Sequence, residues 1–181
     1  RAFEDSLEKL ELDYLDLYLT HWPVKDSFVE TYKAIERLYD EKLIRSTGVS
    51  NYHIHHLEKV FSKANIRPMV NQVEVHPRLT QEPLRQFCAK NNIAVTSWSP
   101  LARGGELLSD PLLNSIGSNY GKPSAPVIIR WHLQSDLIVI PKSFTPNRFD
   151  ETINVSDFDL PETERETVNA IKLYESFGSN P

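Results

Sequence analysis

Short apolar runs alternate with segments of helical spacing along the whole chain, and few folds accept that rhythm. An amphipathic helix ends near residues 6–10, and residues 14–19 form the first apolar run. Phe28, Tyr32, Ile35 and Leu38 then recur at helical spacing, followed by a run at 44–49. Ile54, Leu57, Val60 and Phe61 predict the next helix, and residues 69–75 the next strand. A helix over about 83–91 turns Leu84, Phe87 and Cys88 inward before a strand at 93–97. Residues 100–123 hold most of the glycines and read as an irregular stretch. Val127, Ile128, Trp131 and Leu133 predict a helix, residues 137–140 a fifth strand, and residues around 161–176 a last helix. The acidic first turn of that helix suits the helix dipole.

Strands this apolar are buried on both faces, as parallel strands are. Helix-length connections between them give right-handed βαβ units. The expected class is α/β, and no Gly-x-Gly-x-x-Gly follows the first strand to suggest a dinucleotide-binding Rossmann opening. A (β/α)8 TIM barrel fits better, although such a barrel takes about 250 residues. The 181 residues supply roughly the last five strand-helix units. They are read as a single domain, 1–181, the C-terminal part of a barrel. The chain starts at Arg1, which predicts processing or membership of a longer polypeptide.

Composition removes other classes. Hydrophobic residues make up 40% and charged residues 25%, ordinary for a globular chain. A formal charge of −5 disfavours a nucleic-acid partner. No run reaches the roughly 18 apolar residues of a membrane span. The single cysteine, Cys88, excludes a disulfide framework and a cysteine-based metal site. A cytoplasmic protein is expected, with neither a nucleic-acid nor a membrane partner.

Polar and special residues gather where the strands end, and in a barrel those ends share the catalytic face. They are His21-Trp22-Pro23, Gly48-Val49-Ser50-Asn51-Tyr52, Asn71-Gln72-Val73-Glu74, Ser97-Trp98-Ser99-Pro100-Leu101 and Ile140-Pro141-Lys142-Ser143. These motifs, in this order and with the residue 12–23 stretch, resemble the aldo-keto reductase family over the whole chain. Trp98 before Ser-Pro-Leu resembles the bacterial and fungal branch that includes 2,5-diketogluconate reductases.

The resemblance implies NADP(H)-dependent reduction of aldehydes and ketones to alcohols, with a small carbonyl compound as substrate. His21 matches the catalytic histidine that orients and polarises the carbonyl. Ser50, Asn51 and Gln72 match contacts to the nicotinamide carboxamide. Trp98 matches the ring on which the nicotinamide stacks. Ser99 and Leu101 match pyrophosphate contacts, and Lys142, Ser143 and Arg148 match residues around the adenosine 2′-phosphate. Cations there suit a phosphate dianion and favour NADPH over NADH. Trp22 matches a residue of the substrate pocket.

Departures accompany the match. Thr152 stands where Asn is usual beside the adenine, Thr47 where an aliphatic residue is usual, and Pro126 where Gln is common. The family's Asp–Tyr–Lys set has no counterpart among these residues, and none of the seven tyrosines sits in its context. Reduction leaves an alkoxide that needs a proton, so activity is expected only where that N-terminal catalytic segment is present. The alternative is a truncated, non-catalytic NADP(H)-binding or interaction protein on the same scaffold.

Other residues read as structural. Asn51 also suits the cap of the following helix. His53, His55 and His56 do not share one helical face and read as solvated surface, as do His76 and His132, and no metal site is expected. Glu74 reads as structural and Cys88 as core. Strands taken from a closed barrel would leave unpaired edges and an open apolar face, which invites aggregation. A molecule longer than 181 residues is therefore expected, with the missing strands supplied by the N-terminal barrel segment; a partner chain or an altered fold is the alternative.

Overall fold

A computed structural model describes residues 1–142, 154–171 and 174–178. The chain forms two compact units, Arg1–Gln72 with Gln86–Ala94, and Val73–Arg85 with Val95–Asn180. Each is built from strand-helix repeats. The class is α/β, and the chain carries five strand-helix units of the (β/α)8 type.

In the first unit, α1 (Ala2–Leu10) precedes β1 (Tyr18–Thr20), α2 (Phe28–Asp40), β2 (Thr47–Ser50) and α3 (Ile54–Phe61), and β3 (Val70–Glu74) begins. The strands run parallel in the order β1-β2-β3, with Leu19 opposite Gly48 and Val49 opposite Asn71. Helix α2 buries Phe28, Tyr32 and Ile35, the stripe its spacing predicts. Phe3, Ile35 and Ile44 form a core against Leu7, Leu15, Tyr18, Leu38, Tyr39 and Leu43. The apolar run at 14–19 pairs only at Leu15, which bridges Ile44, and from Tyr18 onward. Between them Asp16 turns out to meet Arg45 at 2.9 Å.

All four residues of β2 are buried. Thr47 carries a hydroxyl into this core, where it pairs with the Tyr32 hydroxyl at 2.9 Å. The threonine that replaces an aliphatic residue thus has a partner. Glu36 on α2 is also buried, and its carboxylate accepts from the backbone N–H groups of Asn65 and Ile66 at 2.7 and 2.6 Å.

The second unit contains the end of β3, then β4 (Ala94–Trp98) and β5 (Leu137–Val139), with Val95 opposite Leu137 in a parallel pair. A 3-10 turn (Gly105–Ser109), α5 (Pro111–Tyr120), α6 (Ser124–Leu133) and α7 (Glu162–Asn169) complete it: α6 packs on β5, and α5 packs on α6, α7 and the 3-10 turn. Helix α4 (Glu82–Lys90) has its first turn, with buried Leu84, in this unit and its remainder, with buried Cys88, in the first. Burial pushes the Cys88 thiol up to about 11.

Two expectations change here. Residues 100–123 are not irregular throughout, because α5 lies within them. Asp110 caps it by accepting from the Leu112 N–H at 2.8 Å, Pro111 opens its first turn, and Gly121 closes it at φ 63°. Gly117 is central to this helix for a packing reason: a Cβ there would sit 2.3 Å from the Lys122 carbonyl oxygen. The last helix ends at Asn169 and does not reach residue 176. The N–H groups of Phe177 and Gly178 bond to Glu74 instead of continuing a helix. Pro126 lies in the first turn of α6, where a missing N–H costs little.

His76 and His132 are fully buried, and His56 is 8% exposed, so none of the three is solvated surface. The ring nitrogens of His132 lie 2.8 Å from the Ile128 carbonyl and 3.0 Å from the Val75 carbonyl. Burial pushes its pKa down to about 4 and keeps the ring neutral. No helix among the described residues is long and apolar enough to cross a membrane.

Candidate functional site

In the first unit, β1 delivers His21 and β2 delivers Ser50 and Asn51. Asn51 adopts φ 64°, a left-handed conformation that Asn tolerates better than most residues. The turn aims its backbone N–H at the Gln72 carbonyl, 2.9 Å away. Ser50 Oγ donates to the same carbonyl at 2.9 Å. Asn51 Nδ2 donates to the His21 carbonyl and to Ser50 Oγ, each at 3.2 Å. His21, Ser50, Asn51 and Gln72 are therefore drawn together by one hydrogen-bonded set. The His21 residue is exposed and Trp22 beside it half-buried.

Next to Asn51 in sequence, Tyr52 belongs to a buried aromatic cluster. Phe28, Tyr52 and His56 meet edge to face with centroids 5.2–5.8 Å apart. Thr20 Oγ1 donates to the Tyr52 hydroxyl at 3.1 Å, and burial pushes that phenol's pKa up. His56 Nδ1 accepts from the His53 N–H at 3.2 Å. Burial first, then the neighbouring His55, His53 and Lys59, push the His56 pKa down to about 4. His53, and not Asn51, is the cap residue of α3.

In the second unit, Trp98 ends β4 half-buried. Ser99 follows at φ 52°, so this strand end, like that of β2, is turned by a left-handed residue. The Ser99 carbonyl accepts from the Ala102 N–H at 2.9 Å, and Leu101 lies half-buried within that turn. Strained backbone of this sort collects at functional sites. Lys142, just past β5, is exposed. Ser143, Arg148 and Thr152 lie outside the described residues.

Sequence reasoning gave Glu74 a structural role but not its partners. The residue is 3% exposed. It accepts from Ser176 Oγ at 2.7 Å, the Phe177 N–H at 3.0 Å, the Gly178 N–H at 3.1 Å and His76 Nε2 at 3.3 Å. Burial raises its pKa, but the bonds from His76, Ser176, Phe177 and Gly178 together outweigh burial and hold it below the ordinary carboxylate value. With Nε2 as donor, the His76 Nδ1 lone pair has no hydrogen-bond partner among the described residues. No local signal exposes the bonds from Ser176, Phe177 and Gly178, because those partners stand 102 to 104 positions away.

Parallel strand-helix units, with an imidazole, a hydroxyl and amides at strand ends of the first unit and an aromatic ring at a strand end of the second, define a (β/α)8-type protein. The sequence model of the Aldo/keto reductase family matches residues 1–173, and the chain belongs to that family. It is 47% identical over 180 residues to the glyoxal reductase of Bacillus subtilis (strain 168), covering 99% of this chain and 65% of that protein. It is 43% identical over 183 residues to the methylglyoxal reductase DkgA of Escherichia coli (strain K12), covering 99% and 66%. The crystal structure of apo Gox0644 superposes with a TM-score of 0.96 at 39% identity, covering 99% of this chain and 67% of that one. A variant of Gox0644 is known in complex with NADPH, with a TM-score of 0.95. The chain thus spans about two thirds of the length of the proteins it matches.

Proposed function

We propose that the protein reduces small aldehydes or ketones to alcohols with NADP(H). The observation that carries this is the set His21, Ser50, Asn51 and Gln72, in a chain matching the family over residues 1–173. The relatives named for glyoxal and methylglyoxal reduction support a small dicarbonyl as substrate. The NADPH complex of Gox0644 supports the cofactor.

The residues present suit that cofactor. Hydroxyl and amide groups at Ser50, Asn51 and Gln72 match a carboxamide, which both donates and accepts. The half-buried face of Trp98 suits a stacked ring, and the turn at Ser99 and Leu101 suits a pyrophosphate contact. Lys142 supplies a cation for the 2′-phosphate, and Ser143 and Arg148 are assigned to it from the sequence. Bound NADPH supplies the hydride. His21 orients the carbonyl by hydrogen bonding to its oxygen, and Trp22 limits the space around the substrate. Asn51 holds the His21 backbone and so fixes where the imidazole starts. The proton for the new alcohol comes from the family's Asp–Tyr–Lys set, so turnover belongs to a protein that includes it.

NADPH oxidation with methylglyoxal, followed by absorbance, tests this reading. His21→Ala is expected to lower kcat/KM by about 100-fold or more, the scale of a lost acid-base or orienting group. Lys142→Ala should weaken NADPH by roughly tenfold while leaving NADH unchanged. Full activity in His21→Ala, or no NADPH binding by the wild-type protein, would overturn the proposal.

A further inference from the structure

We propose that Glu74 is a positioning residue whose buried carboxylate clamps residues 174–178 against the edge of Trp98 and so fixes the orientation of that ring. The consequence for the cofactor rests on reading Trp98 as the nicotinamide platform; the clamp itself does not.

All the residues of the clamp lie in the second unit. Glu74 receives three donors from consecutive residues of one segment: Ser176 Oγ, the Phe177 N–H and the Gly178 N–H. A buried carboxylate needs such donors, and a single segment provides most of them. The same segment touches the indole. A Cβ on Gly178 would fall 2.7 Å from Trp98 Cη2, 3.1 Å from Cζ2 and 3.4 Å from Glu74 Oε2. The backbone at Gly178 is thus wedged between carboxylate and ring, with no space for a side chain.

Two arginines make the segment a strap rather than a loose end. Arg78 Nη1 donates to Glu175 Oε2 at 2.9 Å, and a second of its nitrogens meets Glu106 of the 3-10 turn at 3.4 Å. Arg103 Nη2 donates to the Phe177 carbonyl at 2.8 Å, and its guanidinium lies over the Phe177 ring. The Phe177 ring packs 5.6 Å from the His76 ring, which donates to Glu74 in turn. The strap is tied to the loop after β4 at one side and to the end of β3 at the other. Glu74 and the edge of the Trp98 ring meet the strap at the same residue, Gly178.

The test uses the full chain and the variants Glu74→Gln and Gly178→Ala. Amide hydrogen exchange is followed at Phe177, Gly178 and β4, together with the Trp98 indole N–H resonance. In Glu74→Gln, exchange at Phe177 and Gly178 should rise by about tenfold or more while β4 stays protected, as local release requires. The Trp98 resonance should shift in both variants, since Gly178→Ala disturbs the ring contact and leaves the carboxylate intact. In the enzyme, both variants should raise the KM for NADPH several-fold, and the KM for the carbonyl less. Unchanged exchange at Phe177 and Gly178 in Glu74→Gln overturns the clamp. Released amides with an unmoved Trp98 resonance overturn the positioning role. A wild-type protein that does not bind NADPH overturns the reductase reading alone, and the first two readouts still decide the clamp.

Discussion

Thr47 and Tyr32 pair two hydroxyls in a core that a β strand would ordinarily fill with aliphatic atoms. Thr47→Val keeps the shape but leaves the buried Tyr32 hydroxyl unpaired. Burial pushes the Tyr32 phenol well up, so ionisation offers no escape. The expected loss is about 1–3 kcal/mol in denaturant unfolding. A change under about 0.5 kcal/mol would mean that the pair is replaceable. His132 sets a pH dependence of a different kind. Its folded pKa, about 4, lies below the unfolded value of about 6.5. Below pH 6.5 the unfolded chain binds a proton that the folded chain refuses. Stability is therefore full above about 6.5 and falls with pH until about 4, by roughly 3 kcal/mol in all. His56 acts in the same direction. Glu74, held below its ordinary value, adds a further loss below about 4.5, where the unfolded chain takes up a proton that the folded carboxylate refuses. Thermal unfolding from pH 7 to 4 reads the slope, and His132→Gln should flatten it.

At the scale of elements, α5 carries the clearest prediction. Gly117→Ala improves helix propensity by about 1 kcal/mol in isolation. Here the new methyl would meet the Lys122 carbonyl, a backbone atom that cannot swing away. The variant should lose about 1–3 kcal/mol despite its better propensity. A more stable Gly117→Ala protein would refute the packing account. Asp110→Ala, which removes the cap, should cost about 1 kcal/mol. The same glycine explains why the segment read as irregular. Helical spacing is interrupted by a residue that disfavours helices alone, and its compensation is a contact across the turn. The ends of α5 do carry local marks that the irregular reading passed over, Asp-Pro before it and Gly after it. The early end of α7 was not, because the groups that compete with the helix lie far away in sequence.

For the whole molecule, exposure of apolar residues sets the expectation. In the first unit Leu10, Leu12, Tyr14 and Leu17 are 39–57% exposed, and in the second Ile138 and Ile140 are 50% and 46% exposed. Apolar side chains on and beside edge strands invite association. The 181-residue polypeptide produced alone should self-associate in sedimentation velocity. A stable, cooperatively unfolding 20.8 kDa monomer would overturn that expectation.

The strand-helix rhythm was readable because its causes are local: residues 28, 32 and 35 meet the core through their spacing alone. The strand-end positions of His21, Ser50 and Trp98 follow from the same count, since a residue that ends a strand is fixed by the strand before it. Tertiary structure decided the rest. The burial of His76 and His132, the pairing of Thr47 with Tyr32 and the strap on Glu74 each join residues from different elements. A buried polar group is viable only if a partner arrives through folding, and nothing in its neighbours along the chain records which partner that is.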